Sequence, residues 1–364
     1  MSKFIKTAVV PDIEKPYTPV HNFSDFALNA KIHENLAALG YLQPTPIQDQ
    51  AIPAGLAGND VLGLANTGTG KTAAFLLPLI EKVLANYDHE TVLILAPTRE
   101  LAQQIEMELK GFAKNLRIGS ATVIGGASIG PQLALLRRNP HFVIGTPGRV
   151  RDMINRGALN LSKFNNIVLD EVDRMLDMGF VNEIKQVLSE MPSERQSLFF
   201  SATISRDIEQ LINGFLVNPV KISVSNGETT DSVNQDVVRV TGDQRKIDVL
   251  HDLLIKEEMK RVLVFGETKF GVERLAKELN TRGFKAESIH GNKSQGQRSR
   301  AIDAFKSDRV NVLVATDVAA RGIDIKDITH VINYDLPNTY DDYTHRIGRT
   351  GRGGKIGHAL TFVD

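Results

Sequence analysis

An apolar run, Val61-Leu62-Gly63-Leu64, leads straight into Ala65-Asn66-Thr67-Gly68-Thr69-Gly70-Lys71-Thr72 and then into the helical pattern Ala73-Ala74-Phe75-Leu76-Leu77. Strand, tight glycine loop and helix in that order form a narrow structural specification. The backbone N–H groups of such a loop and the N-terminus of the helix after it make an anion cradle. A polyphosphate fits it: Gly68, Thr69 and Gly70 would wrap the chain, Lys71 would reach the terminal groups, and the Thr72 hydroxyl would ligate Mg²⁺. Ala65 stands where the usual pattern has its first glycine. An ordinary glycine-rich turn carries part of the same signal, and the rest of the chain weighs against that reading.

A second apolar stretch, Asn165-Asn166-Ile167-Val168-Leu169, ends in Asp170-Glu171-Val172-Asp173. In a phosphate-loop enzyme a carboxylate at a strand end holds the Mg²⁺ that the loop hydroxyl touches, which points to Asp170. Glu171 is placed to polarise a water for attack on the γ-phosphate, with Lys71 and the metal offsetting the phosphate charge. An Asp-Glu pair after a strand is by itself only a helix-start signal; beside the loop it reads as an active site.

Strand-like runs recur at Val61–Ala65, Thr91–Ala96, Ala121–Ile124, Phe142–Gly145, Ile167–Asp170 and Ser197–Ser201, with helical patterns such as Glu100–Lys114 and Val181–Glu190 between them. Short, continuously apolar strands alternating with helices predict a parallel sheet covered on both faces. Residues 1–22, with Pro11, Pro16 and Pro19, read as an N-terminal arm lying on the surface, and 23–224 as a first domain. The polar stretch 225–236 reads as a linker. A second alternating series fills 237–364, with strands at Val237–Thr241, Val262–Phe265, Ala286–His290, Val312–Ala315, Val331–Asn333 and His358–Val363. Only the first domain carries a phosphate loop, so the second is expected to serve that site across a cleft that opens and closes.

Tyr343-Thr344-His345-Arg346-Ile347-Gly348-Arg349-Thr350-Gly351-Arg352 spaces arginines by three with glycines between them. Arginines brought by one domain to a nucleotide on another can stabilise transition-state charge; a basic surface loop is the alternative. Thr316-Asp317 follows the strand Val312–Ala315, at the sheet edge where ligands bind in parallel α/β folds. His290 also follows a strand and reads as structural.

Lys plus Arg and Asp plus Glu number 43 each, so the chain has no net charge. That argues against wholesale coating of nucleic acid, though not against a local basic groove. Trp is absent and aromatics make up 6%, so base stacking is not expected to dominate any nucleic-acid contact. Cysteine is absent, which excludes disulfides, thiolate metal sites and Cys nucleophiles and fits a reducing compartment. No apolar run approaches the ~18 residues of a membrane span, and the N-terminus lacks a signal peptide's apolar core. A cytoplasmic protein without a membrane partner is the expectation.

Taken in order from Phe23 to the end of the chain, the motif set resembles the DEAD-box family of ATP-dependent RNA helicases in helicase superfamily 2. The resemblance implies two tandem RecA-like domains, ATP and Mg²⁺ as cofactors, and RNA as a partner bound through its backbone with little sequence preference. Gly40-Tyr41 followed by Pro44-Thr45-Pro46-Ile47-Gln48 resembles the family's adenine-reading motif. It implies that Gln48 reads the adenine edge, with Phe23 upstream packing on the ring. Pro97-Thr98-Arg99-Glu100-Leu101, Gly125-Gly126 and Thr146-Pro147-Gly148-Arg149 resemble RNA-backbone contacts, which gives roles to Arg99, Gly126, Thr146 and Arg149. Thr268 with Lys269, the run Gln295 to Arg298, and Thr316 look like the second domain's RNA contacts. Ser201-Ala202-Thr203, with Asp173, resembles the motif that couples hydrolysis to strand separation. Asp324 resembles the ribose-binding aspartate, Arg349 and Arg352 the arginine fingers, and His345 and Arg346 contacts across the cleft.

The family's Asp-Glu-Ala-Asp is Asp-Glu-Val-Asp here; both acids and Asp173 stay in place, so the chemistry is expected to survive, and the effect of Val172's two added methyls on the coupling to Ser201-Ala202-Thr203 is left open. Gly266-Glu267 is another departure. The chain stops at Val363-Asp364 without a terminal helix or basic tail, as a trimmed core or a short natural protein would. The expected activity is ATP-driven closure on RNA with local strand separation by a monomer whose protein partners are unknown. An ATP-gated RNA clamp and a DNA-directed translocase of the same superfamily are the rivals.

Overall fold

The computed structural model describes residues 17–363 apart from 67, 225–231, 243, 321–324, 326, 338 and 352–355. The chain divides into two compact units, one of which is continuous over Pro16–Asn226 and the other of which includes Gly227–Asp364. The first holds seven strands: β1 Val61–Ala65, β2 Val92–Leu95, β3 Ser120–Val123, β4 Phe142–Gly145, β5 Asn166–Leu169, β6 Gln196–Ser201 and β7 Val220–Val224. They form one sheet in the order β3-β4-β2-β5-β6-β1-β7, with every adjacent pair parallel. The second unit holds β8 Val233–Arg239, β9 Val262–Phe265, β10 Ala286–Ile289, β11 Val312–Ala315, β12 His330–Asn333 and β13 Gly357–Val363. Their order is β10-β11-β9-β12-β13-β8, again parallel throughout. The two parallel sheets covered by helices are those the alternation predicts.

Why the central strands are apolar at every position is visible in their partners. Neighbouring residues point to opposite faces, and both faces are buried. Ile94, Ile144, Val168, Leu198 and Phe200 enter one cluster; Leu93, Leu95, Val143, Ile167, Leu169 and Phe199 enter the other. Each fully buried aliphatic of this kind contributes about 1.5–3 kcal/mol. Gly63 interrupts β1 for a packing reason: a Cβ there would lie 2.5 Å from the Phe200 ring.

Two of the edge strands, β7 and β8, depart from the expected pattern. β7 went unpredicted because only Ile222 of its side chains is buried, so it shows no apolar run. β8 begins at Val233, inside the stretch read as linker, and pairs with β13 over seven residues. Its sequence, Val-Asn-Gln-Asp-Val-Val-Arg, is polar because an edge strand leaves much of itself to solvent.

Candidate active site and nucleic-acid face

Because all strands of the first sheet run the same way, every loop that leaves a carboxyl end gathers on one edge. The loops after β5, β6 and β1, which are neighbours, carry the carboxylate pair, Ser201-Ala202-Thr203 and the phosphate loop. The loops after β3, β4 and β2 carry Gly125-Gly126, Thr146-Arg149 and Thr98-Arg99.

The phosphate loop turns through Gly68 at φ +86° and Gly70 at φ +93°, a region that L side chains rarely adopt. Gly70 caps the helix Lys71–Ala85. Thr69 donates to Asn66 O at 2.8 Å, Lys71 Nζ donates to Ala65 O at 3.0 Å, and Thr72 lies in the helix's first turn. Gln48 sits in the first turn of the helix Pro46–Leu56. Its Oε1 accepts from Thr45 N at 2.9 Å and its Nε2 donates to Gly70 O at 3.1 Å. A Cβ on Gly70 would come within 2.3 Å of Nε2, so the glycine is required for this close approach. Phe23, in contrast, is 6% exposed, and its ring packs edge-on against Phe26 and Tyr41 at 5.9 and 5.8 Å. Its ring lies in the apolar cluster beside these two aromatics.

Asp170 is 2% exposed. Burial pushes its carboxyl up to about 6, against the pull of the Lys71 ammonium. Glu171 takes φ +53° at the head of the helix Val172–Asp177. That left-handed conformation is costly for a side chain longer than Asn and tends to persist where surrounding contacts over-determine it. One such contact escaped the sequence reading: Arg174 Nη1 donates to Glu171 Oε2 at 2.7 Å in a buried ion pair. Its only sequence signal is the i, i+3 spacing. Asp173 Oδ2 accepts from Ala202 N at 2.9 Å and Thr203 N at 3.1 Å, while the Ser201 hydroxyl accepts from Asp173 N at 3.3 Å and donates to Thr203 O at 2.8 Å. Val172 is fully buried in the apolar cluster beside Leu169 and Met175. The Asp173 bonds next to it form at ordinary lengths.

On the other half of the edge, Thr98 caps the helix Arg99–Phe112. Arg99 lies so close over Gly126 that a Cβ there would meet its Nη1 at 1.8 Å. Arg149 Nη1 donates to Ala127 O at 3.3 Å, and Thr146, 8% exposed, heads the helix Pro147–Asn155. Arg99, Gly126 and Arg149 thus meet around one loop.

In the second unit Thr268 caps the helix Lys269–Thr281, accepting from Gly271 N at 3.0 Å. Thr316 N donates to Ile289 O at 3.2 Å, and Arg298 Nη2 donates to Ala319 O at 3.4 Å, so the ends of β10 and β11 and the helix Gln295–Lys306 are tied together. His290 is structural as read: Nε2 meets Glu273 at 3.1 Å. Glu273 also takes the Ser288 hydroxyl, His290 and Lys293, which hold it down to about 2. Glu267 N donates to Asp335 Oδ2 at 2.9 Å.

Arg346, expected to act across a cleft, is 2% exposed and bound to groups of its own sheet edge. Nε and Nη2 hold the two oxygens of Asp317 at 2.6 and 2.7 Å, and Nη1 donates to Asp335 O at 2.6 Å and Asn333 Oδ1 at 3.3 Å. Its guanidinium carbon also lies 5.1 Å from the Phe265 ring centroid. His345 is half-buried in the last turn of the helix Tyr340–Ile347, and Arg349 is 4% exposed just beyond it. Asp324 and Arg352 lie outside the described residues.

Among the described residues no three His, Cys, Asp or Glu cluster to hold a metal, and no helix is long and apolar enough to cross a membrane.

The chain matches the DEAD/DEAH box helicase family model over residues 45–211 and the helicase conserved C-terminal domain model over 245–354. It is 45% identical to the DEAD-box ATP-dependent RNA helicase CshA of Bacillus licheniformis, over 94% of this chain and 70% of that protein. It is 44% identical to CshA of Bacillus subtilis, over 94% and 69%. Among solved structures it is similar to S. cerevisiae Dbp5 bound to RNA and ADP BeF3, with TM-score 0.82, 31% identity, and 94% and 89% of the two chains covered. A DEAD box protein from Methanococcus jannaschii matches with TM-score 0.55 and 39% identity, over 94% and 93%. The paired parallel sheets are tandem RecA-like domains, and the chain belongs to the DEAD-box family of superfamily 2 helicases, as an ATP-dependent RNA helicase.

Proposed function

We propose that this helicase binds ATP on its first domain, closes its second domain onto the nucleotide when RNA is present, and separates base pairs locally by bending one strand. The observation that carries this reading is the division of a single sheet edge, with the nucleotide group after β5, β6 and β1 and the basic loop cluster after β3, β4 and β2. Two ligands on one rigid edge can each favour the same closed state, so each tightens the other. In this reading 23–224 is the ATP-binding domain, the second domain runs from about Val233, and the polar stretch between them is the hinge.

Gln48 reads the adenine edge, and Gly68, Thr69 and Gly70 cradle the phosphates. Lys71 exchanges Ala65 O for the terminal phosphate. Thr72 and Asp170 would hold Mg²⁺, which when bound neutralises phosphate oxygens and orients the leaving group. A buried carboxyl held protonated up to about 6 fits such a cation, whose charge offsets the desolvation. Glu171 orients the attacking water. Arg349, and Arg352 with it, act from the second domain on the transition state, while Asp324 holds the ribose. Asp173 passes the state of the phosphate site to Ala202 and Thr203, and His345 contributes at the interface. Arg99, Gly126, Thr146 and Arg149, and in the second domain Thr268, Arg298 and Thr316, contact RNA phosphates and sugars, which carry no base sequence. We place the enzyme in the cytoplasm as a monomer.

Steady-state ATPase activity with single-stranded RNA, matched DNA and Glu171→Gln tests the reading. RNA stimulation that is absent with DNA and lost in the variant is expected. Equal stimulation by DNA would replace it with a translocase, and slow turnover with a long-lived ternary complex would replace unwinding with clamping.

A further inference from the structure

Asp49 directly follows Gln48 and has no part in the scheme above, yet four donors converge on its carboxylate. Oδ2 accepts from the Tyr17 hydroxyl at 2.5 Å and Val20 N at 2.8 Å. Oδ1 accepts from His21 N at 3.1 Å and lies 2.7 Å from His21 Nδ1. Asp49 is 2% exposed, whereas Tyr17 and Val20, which supply two of the bonds, are 43% and 81% exposed. Burial alone would raise this carboxyl, but the bonds from Tyr17, Val20 and His21 bring it below its ordinary value. An exposed strap thus docks on the protein through one buried carboxylate.

What the strap holds is the first turn of the helix Pro46–Leu56. On its other side that turn presents Gln48, whose amide bridges Thr45 N and Gly70 O. Gly70 precedes Lys71. The contacts therefore run unbroken from Tyr17 to Asp49, through one helical turn to Gln48, and into the phosphate loop. A side chain that reads a base edge must be held closely, because a misplacement of about 1 Å at a site can cost on the order of 10² in rate.

We propose that Asp49 is a positioning residue for the nucleotide: the docked strap Tyr17–His21 sets the helical turn that aims Gln48, and selectivity for adenine depends on it. This rests on the base-reading role given to Gln48 above. A strap that merely stabilises the fold would lower the unfolding midpoint without touching nucleotide preference, and the two are separable.

The experiment is RNA-stimulated hydrolysis of ATP and GTP by the full chain and its variants Tyr17→Phe, Asp49→Asn and Gln48→Ala, assayed well below their unfolding midpoints. Tyr17→Phe removes one hydroxyl from an exposed ring, so it keeps the question open even if Asp49→Asn folds poorly. Both variants are expected to raise KM for ATP about three- to tenfold, the worth of one ordinary hydrogen bond, with kcat within about twofold. They should also lower the ATP-to-GTP preference, and Asp49→Asn should add little to Gln48→Ala. Unchanged KM and preference in Tyr17→Phe and Asp49→Asn, with preference lost in Gln48→Ala, would overturn the positioning role alone. Unchanged preference in Gln48→Ala would overturn the base-reading role beneath it.

Discussion

Arg174 donates to Glu171 at 2.7 Å, with each side chain 5% exposed. The carboxylate proposed to orient the attacking water is thus fixed by a guanidinium one helical turn away. Removing one partner of a buried ion pair leaves the other charge uncompensated, at about 3–5 kcal/mol. Arg174→Ala should lower kcat by about tenfold or more while ATP-analogue affinity stays within about threefold, the mark of an interaction needed in the transition state. Arg174→Lys should keep part of the rate. Single-turnover hydrolysis checks this, and additive losses when Arg174→Ala is combined with Glu171→Gln would show that the arginine does not act through the glutamate.

Asp173 takes two backbone N–H groups from the loop after β6. Asp173→Ala strands both donors, which costs about 1–3 kcal/mol for each one left buried. The expected phenotype is RNA-stimulated ATPase activity retained within a few-fold with duplex unwinding lost, measured side by side on one preparation. Parallel loss of both would mean that this contact supports the fold of the site rather than its coupling.

Gly126 stands at φ +70°, with Arg99 where a Cβ would be. Gly126→Ala should strain the backbone by about 1–2 kcal/mol and push Arg99 aside. RNA affinity should fall roughly equally for all sequences, and the salt dependence of binding should flatten by about one phosphate's worth. A titration of single-stranded RNA at several salt concentrations reads both effects.

These contacts also show where sequence reasoning stops. The central strands, the phosphate loop and the carboxylate pair were legible because burial on both faces and phosphate binding each force residue types at fixed spacing. β7 was not, and β8 was placed four residues late, because each buries one side chain in several and its exposed stretch looks like loop. The bonds of Arg346 to Asp317 were not legible, because an arginine in a glycine-rich motif carries no sequence signal for a partner on its own sheet edge. Arg174 and Asp49 carry no motif at all, and their partners are found only once the chain is folded.

His330 and His358 face each other on β12 and β13, in register, with rings stacked 4.9 Å apart. Burial and the neighbouring His358 hold His330 down to about 4, from an ordinary value of 6.5. The unfolded chain therefore takes up this proton below pH 6.5, while the folded chain resists until about pH 4. Stability from this ring is present above pH 6.5 and is lost as pH falls through that window, by up to about 3 kcal/mol. Glu273 and Asp248, both held down to about 2, weaken the fold only below their ordinary values of 4.5 and 3.8. Asp170, raised to about 6, acts with the opposite sign in the same window, since its folded form binds the proton more readily. A difference measurement cancels it. The stability gap between the parent chain and His330→Gln should shift against the parent by about 2–3 kcal/mol as pH goes from 7 to 4.5. Amide exchange in β12 and β13 reports that gap within the second domain, and a gap independent of pH would mean the buried ring does not titrate as its surroundings require.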